Sequence, residues 1–230
     1  EVDTNINCAA YTAVDRAEDE PGPAAEINTQ AVANLAKAAQ KGDCLLIHIS
    51  TDYVFDGTAT TPYTEKIKTC PVSVYGKTKL AGEEAIIRSG CFYIIIRTAW
   101  LYSAFGHNFV KTILRLAEER PEINVVNDQI GTPTYTYDLA RLLVDMIETE
   151  KYGYYHATNE GGYISWYDFT KEIFRQAAAM GHPEYLPENM TVNSVTTAEY
   201  GVSKAARPFN SRLDKSKLTA NGFTPLPTWQ

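Results

Sequence analysis

The segments CLLIHISTDYVFDG, residues 44–57, and YGKTK, residues 75–79, decide the fold. The first begins with an apolar run, which is typical of a strand buried on both faces of a parallel sheet, and this run ends in Ser50 and Thr51. Open α/β sheets bind their ligands at the carboxyl ends of the strands. The sequence therefore predicts an α/β fold with two hydroxyl groups at the ligand-binding edge of its sheet.

Tyr75 and Lys79 stand four residues apart at the start of a helical pattern, so they share one face of the predicted helix. With Thr51 they bring a phenol, an ammonium and a hydroxyl to one crevice. These groups suit carbonyl reduction, in which Tyr75 protonates the oxygen as a hydride reaches the carbon and Thr51 donates a hydrogen bond to that oxygen. An ammonium at about 4 Å, in an effective dielectric of about 20, lowers a phenol's pKa by roughly three units, so Lys79 is expected to make Tyr75 a usable acid. A surface tyrosine beside a solvated lysine has the same spacing; the preceding strand and the small residues Ala81 and Gly82 favour the catalytic interpretation.

Six segments follow the motif order of a known family and cover nearly the whole chain: NCAAYTAVD (7–15), STDYVFDG (50–57), VYGKTKLAGE (74–83), RTAW (97–100), NDQIGTPT (127–134) and RPFNS (207–211). With these motifs the chain resembles the extended short-chain dehydrogenase/reductase family, and within it the reductases of dTDP-linked keto-deoxysugars. The resemblance implies a Rossmann-like doubly wound parallel sheet with a smaller carboxyl-terminal substrate lobe. The dinucleotide-binding domain would comprise residues 1–99 and 130–158, and the sugar-nucleotide-binding lobe residues 100–129 and 159–230.

The family opens with a strand, a glycine-rich turn and a helix that hold the dinucleotide pyrophosphate. Neither G-x-G-x-x-G nor G-x-x-G-x-x-G occurs among the 14 glycines of this chain. The resemblance therefore implies that the chain begins within the sheet and lacks a first βαβ segment of roughly 50 residues.

The resemblance also assigns ligand roles to individual residues. Those expected to bind the dinucleotide are Ala9, Ala10, Tyr11, Thr12, Ser50, Tyr75 and Lys79. Those expected to bind the substrate are Thr51, Asp52, Tyr53, Trp100, Asn108 and Arg207. Plainer alternatives stay open for several of them: a tight turn for residues 9–12, core packing for Trp100, a helix cap for Asn108 and a surface ion pair for Arg207.

The activity implied by the resemblance is NADPH- or NADH-dependent reduction of the 4-keto group of a dTDP-linked deoxysugar. The same resemblance extends to a homodimer and to Mg²⁺ at a subunit interface. Sugar-nucleotide dehydratases carry a carboxylate base where this chain has Tyr53, so dehydration is disfavoured. Two alternatives remain open. The first is another sugar-nucleotide epimerase or reductase, since epimerases share the trio of Thr51, Tyr75 and Lys79. The second is a non-catalytic, dinucleotide-binding regulatory subunit of methionine adenosyltransferase.

The composition agrees with a globular enzyme, since the 230 residues are 44% hydrophobic and 21% charged. A net charge of -7 and a pI near 5.2 argue against a nucleic-acid partner, which needs clustered basic residues. No apolar stretch approaches the roughly 20 residues of a membrane span. The four cysteines lack C-x-x-C spacing, so we expect a cytoplasmic protein with reduced thiols. The four histidines have no metal-ligand spacing, and no structural metal site is expected.

Overall fold

The computed structural model describes residues 2–201 and 203–230. Its strands are β1 (Thr4–Asn7), β2 (Leu45–Thr51), β3 (Tyr93–Thr98), β4 (Leu101–Tyr102), β5 (Glu122–Val126), β6 (Ile130–Gly131), β7 (Thr134–Tyr135), β8 (Gly153–His156), β9 (Ile164–Ser165) and β10 (Thr191–Val195). Its α-helices are α1 (Val14–Ala17), α2 (Pro21–Ala25), α3 (Ala31–Gly42), α4 (Val74–Ser89), α5 (Phe109–Glu119), α6 (Thr136–Ile147), α7 (Trp166–Ala179), α8 (Thr197–Tyr200) and α9 (Ser216–Ala220). A π-helical turn, Glu26–Gln30, joins α2 to α3, and 3₁₀ turns cover Asp52–Val54 and Pro183–Tyr185.

The central sheet has four parallel strands in the order β1-β2-β3-β8. Within it, Ile47 of β2 lies opposite Ile6 of β1 and Ile94 of β3. β2 and β3 are buried along nearly their whole length, as expected of parallel strands covered by helices on both faces. This arrangement confirms the predicted α/β fold, and it brings the carboxyl ends of β1, β2 and β3 to one edge.

Alternating side chains of β2 enter two separate cores, because successive residues of a strand point to opposite faces. Leu46 packs beneath helices α3 and α4, in a core that also contains Val32, Ala36, Ile86 and Ile95. Ile47 packs beneath α6 and α9, in a core that also contains Ile94, Ile96, Leu142, Met146 and Leu218. Helices therefore cover both faces of the sheet, as in the predicted doubly wound architecture.

A second, smaller unit is built on the two parallel strands β5 and β10, which pack with helices α5 and α7. Its own core contains Ile113, Ile123, Val125, Phe174 and Met190. The carboxyl-terminal boundary differs from the predicted one. Leu218, Phe223 and Leu226 belong to the core of the central sheet rather than to the lobe, because α9 returns to lie against β8.

Gly82 lets helix α4 approach the π-helical turn, since a Cβ at this position would lie 2.3 Å from the carbonyl oxygen of Asn28. Gly82→Ala is expected to lower the free energy of unfolding by roughly 1–3 kcal/mol, because overpacking outweighs alanine's better helix propensity. Gly22→Ala in α2 is the matched control, since a Cβ there meets no atom within 4 Å. Denaturant unfolding of both variants checks this, and a Gly82→Ala protein as stable as the wild type would contradict it.

Candidate active site

A cavity of about 690 Å³ opens at the carboxyl ends of β1, β2 and β3 and extends to strand β5 of the smaller unit. Its wall includes ten residues with a predicted catalytic or ligand-binding role: Ala10, Thr12, Ser50, Thr51, Asp52, Tyr53, Tyr75, Lys79, Trp100 and Arg207. A cavity at this edge of a parallel sheet is where α/β proteins bind small molecules. The structure therefore brings most of the predicted site residues to one place.

Thr51, Tyr75 and Lys79 come together because the turn after β2 packs closely against the start of helix α4. At the end of β2, the Thr51 hydroxyl accepts a hydrogen bond from the backbone of Tyr53 at 3.2 Å and caps the following 3₁₀ turn. Helix α4 begins at a similar cap, where the Ser73 hydroxyl accepts from the backbone of Gly76 at 3.1 Å. A Cβ on Gly76 would lie 2.2 Å from the carbonyl oxygen of Tyr53, so only glycine lets the helix start this close to the turn. This contact places Tyr75, in the first turn of α4, beside Thr51.

The phenol of Tyr75 is held in its protonated form. Its ring is half-buried and packs edge-on against Tyr53, with the ring centroids 5.4 Å apart. Burial raises the pKa of Tyr75 well above its ordinary value of 10; the nearby Thr51 hydroxyl lowers this pKa, and the charges of Asp52 and Tyr53 raise it. This result corrects the expectation that Lys79 lowers the pKa of Tyr75.

The amino group of Lys79 is directed toward the sheet, and only 2% of the residue is exposed. Its Nζ donates to the carbonyl oxygen of Ile49 at 2.6 Å and lies 3.3 Å from Nε2 of His48. Burial lowers the pKa of Lys79 to about 8, against the charges of Glu83 and Cys8, which raise it. The hydrogen-bond partners of this amino group thus lie on β2, beneath the helix that carries Tyr75.

The guanidinium of Arg207 stands on the cavity wall between two loops. It donates to the phenol oxygen of Tyr53 at 3.2 Å and to the carboxylate of Asp15 at 2.6 Å. The ion pair that the sequence left open as an alternative for Arg207 is therefore present. It borders the cavity, however, and 30% of the Arg207 side chain is exposed. Asp15 was not predicted to take part, because it lies in an acidic stretch whose spacing indicates no partner.

Ser50, on the cavity wall, belongs to a buried network that extends behind the wall and that sequence reasoning missed. Its hydroxyl donates to the carboxylate of Glu83 at 2.5 Å, and the same carboxylate accepts from Nε and Nη2 of Arg97 at 3.0 and 2.6 Å. The side chains of Glu83 and Arg97 are 0% and 4% exposed. The network joins α4 to β2 and β3, and so fixes the helix that carries Tyr75 and Lys79.

Trp100 forms part of the cavity wall together with Trp166, which was not predicted. The two rings are stacked, with centroids 3.6 Å apart and planes tilted by 16°. The backbone of Trp100 has a φ of 53°, a left-handed conformation that is strained for a bulky residue. Trp100 thus packs on its neighbour and also faces the cavity, and its role in binding a substrate stays a prediction.

Comparison with known proteins decides the family. The family model described as "RmlD substrate binding domain" matches residues 1–230. The chain belongs to this family. Two curated relatives of this RmlD family chain are named dTDP-4-dehydrorhamnose reductase. The relative from Aggregatibacter actinomycetemcomitans is 45% identical over 98% of this chain and 77% of its own length, and the relative from Escherichia coli K12 is 42% identical over 99% and 76%.

Solved structures of proteins that carry the same name share the fold of this RmlD family chain. The dTDP-4-dehydrorhamnose reductase of Bacillus anthracis, in complex with NADP, superposes with a TM-score of 0.89 at 43% identity and covers 99% of this chain and 77% of its own. The Clostridium acetobutylicum protein gives a TM-score of 0.91 at 42% identity, again covering 99% and 77%. These similarities confirm the Rossmann-like fold and the family resemblance predicted from the motifs.

Among residues 2–201 and 203–230, the structure has no helix that is long and apolar enough to cross a membrane. The same residues contain no group of three or more His, Cys, Asp or Glu side chains arranged for a metal ion. No finding supports the Mg²⁺ expected at a subunit interface, and that site stays a prediction.

Three residues with predicted ligand roles do not line the cavity of this RmlD family chain: Ala9, Tyr11 and Asn108. The phenol of Tyr11 donates instead to Glu20 at 2.8 Å. The amide of Asn108 caps helix α5, accepting from the backbone of Lys111 at 3.2 Å and donating to the carbonyl of Ser103 at 2.8 Å. The capping alternative thus accounts for Asn108.

The carboxylate of Asp52 lies on the cavity wall of the RmlD family chain. It is buried, since only 4% of the residue is exposed. Its Oδ1 accepts from the Thr51 hydroxyl at 3.1 Å. The Ser211 hydroxyl lies near the carboxylate, but Oδ2 accepts no hydrogen bond of regular geometry from any described residue. Burial raises the pKa of Asp52 to about 6, although hydrogen bonding to Ser211 and Thr51 lowers it. A buried acceptor of this kind suits a hydroxyl group of a ligand.

Asp52→Asn is expected to raise the free energy of unfolding at pH 7 by roughly 1–3 kcal/mol. The folded-state pKa of about 6 lies above the ordinary value of 3.8, so between these values the folded state binds more protons than the unfolded state. Asp52 therefore lowers stability as the pH rises through this window, and the loss persists at pH 7. An amide does not titrate there.

Denaturant unfolding at pH 4 and pH 7 measures this effect. The control is Asp145→Asn on α6, where the exposed side chain should change stability by less than about 0.5 kcal/mol. An Asp52→Asn protein that is less stable than the wild type at pH 7 would contradict the assignment of Asp52 as a destabilising buried carboxylate.

Proposed function

We propose that this chain reduces the 4-keto group of dTDP-4-dehydro-L-rhamnose to dTDP-L-rhamnose, with NADPH or NADH as the reductant. The observation that carries the proposal is that Thr51, Tyr75 and Lys79 line one cavity at the carboxyl ends of the strands. The relatives with 42% and 45% identity are named for this reduction, and a relative of known structure is in complex with NADP.

Two residues of the chain, Tyr75 and Thr51, act on the ketone oxygen. When bound, the dinucleotide supplies the hydride. Tyr75 donates its proton to the ketone oxygen. The Thr51 hydroxyl, which donates to Asp52 in this structure, would turn its single proton to the ketone oxygen and hold this oxygen beside the phenol. The raised pKa of Tyr75 keeps the proton on the phenol at neutral pH, and the alkoxide that forms is a stronger base than the phenolate left behind. Tyr75 is therefore ready to act as a proton donor, and its proton moves as negative charge develops on the ketone oxygen.

The cavity wall fits the nicotinamide end of a dinucleotide next to this oxygen. Where β1 and β2 end, the wall consists of short side chains, Cys8, Ala10, Thr12 and Ser50, which leave room for a flat ring. The amino group of Lys79 lies at the same edge and can hold a ribose hydroxyl by hydrogen bonding. Ala10, Thr12, Ser50 and Lys79 are thus the residues that we assign to the dinucleotide.

The other side of the cavity suits a sugar nucleotide. Asp52 and Tyr53 offer an acceptor and a phenol near Tyr75, and the stacked ring of Trp100 gives a flat apolar wall for a sugar. Arg207 donates to the phenol of Tyr53, and a diphosphate can take the place of the Asp15 carboxylate on its guanidinium. We assign these residues to the substrate, which would lie between the central sheet and the lobe.

A turnover assay on the full-length protein tests the proposal. With dTDP-4-dehydro-L-rhamnose as the substrate, one molecule of NADPH or NADH should be oxidised for each molecule of dTDP-L-rhamnose formed, and comparing kcat/KM for the two reductants gives the preference. An epimerase would convert the sugar without net oxidation of the dinucleotide. A regulatory subunit of methionine adenosyltransferase would give no turnover and would co-purify with the synthetase. Either outcome would overturn the proposal.

A further inference from the structure

Trp100 keeps a strained backbone at the cavity wall because one residue holds the two carbonyl groups around it. The φ of Trp100 is 53°, and a bulky residue keeps such a conformation only where its surroundings enforce it. Thr134, at the start of β7, is 0% exposed. Its backbone N–H donates to the carbonyl oxygen of Trp100 at 3.0 Å, and its hydroxyl donates to the carbonyl oxygen of Ala99 at 2.7 Å. The backbone of Trp100 is therefore fixed from β7.

The indole of Trp100 packs against two residues that the pairing of β6 with β9 brings together. In this antiparallel pair Gly131 lies opposite Ile164, and Trp166 follows two residues later as the first residue of α7. A Cβ on Gly131 would lie 2.8 Å from Cε2 of Trp100 and 3.0 Å from its Cζ2 and Nε1. The ring of Trp166 stacks on the same indole, with the centroids 3.6 Å apart. The side chain of Trp100 is thus held as closely as its backbone.

Glycine at position 131 is required by the indole and not by the backbone. The φ of Gly131 lies outside the left-handed region, so alanine can adopt the same backbone. The three atoms nearest to a Cβ at this position all belong to the indole of Trp100. A methyl group at position 131 would therefore displace this ring, whereas a smaller ring at position 100 would leave room for the methyl group.

Trp166 connects the indole of Trp100 to the smaller unit. It begins α7, and its ring also packs on Phe109 of α5, with the centroids 4.4 Å apart. Trp100 follows β3 of the central sheet, and both stacked rings line the cavity that the two units share. We propose that Trp166 and Gly131 are positioning residues that hold the indole of Trp100 as a preformed wall for the sugar of the substrate.

This inference rests on the proposed function, which assigns Trp100 to the sugar. A preformed wall strengthens binding because the site pays less to become ordered when the ligand arrives. Loosening the indole should therefore weaken the share of the affinity that comes from the sugar and leave the share that comes from the nucleotide. A comparison of dTDP-L-rhamnose, the product of the proposed reaction, with dTDP separates the two shares.

Calorimetric titration of both ligands into the full-length protein tests the role of Trp166. Trp166→Leu should weaken the binding of dTDP-L-rhamnose by about tenfold, the upper value expected for the loss of one aromatic pair, and that of dTDP by less than about twofold. Trp166→Phe keeps a ring and should retain both affinities within about threefold of the wild type. A Trp166→Leu protein that loses affinity for the two ligands alike would overturn the inference.

The matched control for Trp166 is Phe174→Leu. Phe174 lies on the same helix in the core of the smaller unit, outside the cavity wall, and its ring stacks on Tyr185 with the centroids 5.2 Å apart. This variant also removes a stacked ring from α7, but it does not touch Trp100. Both affinities should therefore stay within about twofold of the wild type. A sugar-specific loss in Phe174→Leu equal to that in Trp166→Leu would contradict the assignment.

A cycle of variants tests whether Gly131 acts through the indole. Gly131→Ala should weaken the binding of dTDP-L-rhamnose by about tenfold in the wild type and by less than about twofold in the Trp100→Phe background, where the smaller ring leaves room for the methyl group. Equal losses in the two backgrounds would show that Gly131 does not act through Trp100.

The wild-type protein supplies a test that needs neither a variant nor turnover. Nuclear Overhauser contacts between the rings of Trp100 and Trp166 should be present without a ligand and should persist when dTDP-L-rhamnose binds. Their absence from the free protein, or a wild type that does not bind dTDP-L-rhamnose, would overturn the inference. The proposed function fails separately: a protein with this coupling that returns the keto-sugar unreduced keeps the inference and loses the function, and a reductase without the coupling does the reverse.

Discussion

Tyr75→Phe is expected to lower kcat for reduction of the keto-sugar by roughly 10²- to 10⁴-fold, the range found when a positioned proton donor is lost. The variant removes one oxygen and keeps the edge-on packing of the ring against Tyr53. The Thr51 hydroxyl then remains as the only proposed donor to the ketone oxygen in the trio. Steady-state oxidation of the dinucleotide at saturating keto-sugar measures the loss.

The matched control for this prediction is Tyr137→Phe. Tyr137 is a tyrosine on α6 that is 62% exposed and lies outside the cavity wall, so the same chemical change there should leave kcat within about twofold. Denaturant unfolding should show that both variants are folded. A Tyr75→Phe protein with an undiminished kcat would show that another group protonates the oxygen.

Glu83→Gln is expected to lower the free energy of unfolding by roughly 3–5 kcal/mol, because it leaves the buried Arg97 guanidinium without its counter-charge. The Nη1 atom of Arg97 has no hydrogen-bond partner among the described residues. Its Cζ lies 4.4 Å from the centroid of the Tyr154 ring and 5.2 Å from that of Phe55, and neither ring carries a counter-charge. Denaturant unfolding measures the loss.

Two variants separate the charge from the position on α4. Glu84→Gln, at the next residue, breaks an exposed pair with Arg88 and should change stability by less than about 1 kcal/mol. The double variant Glu83→Leu with Arg97→Met replaces the buried pair by apolar side chains and should recover much of the stability. If Glu83→Gln is as stable as Glu84→Gln, the buried pair of Glu83 and Arg97 does not stabilise the fold.

The elements around the trio could be predicted because each has a strong local pattern. The apolar run that becomes β2 ends at Thr51, and Tyr75 with Lys79 follows at helical spacing. Their meeting at one cavity follows from the general placement of ligands at strand ends. The geometry of the trio, however, depends on Gly76 and its contact with the carbonyl of Tyr53, which no spacing indicates.

The partners of the predicted residues could not be found from the sequence, because each lies far along the chain. Arg207 binds Asp15 across 192 positions, and Trp100 stacks on Trp166 of a helix in the smaller unit. The same limit applies to Lys79. Its spacing from Tyr75 places both residues on α4, but its hydrogen-bond partners, His48 and the carbonyl of Ile49, lie on β2, which no spacing indicates.

The most direct test of the central claim is the transfer of deuterium from a reductant labelled with deuterium at the transferable hydride position of its nicotinamide. If the trio reduces a ketone beside the nicotinamide, the full-length wild-type protein should form dTDP-L-rhamnose that carries one deuterium on C4, as read by mass spectrometry and proton resonance. Product without deuterium on C4, or a keto-sugar that is returned unreduced, would contradict the account.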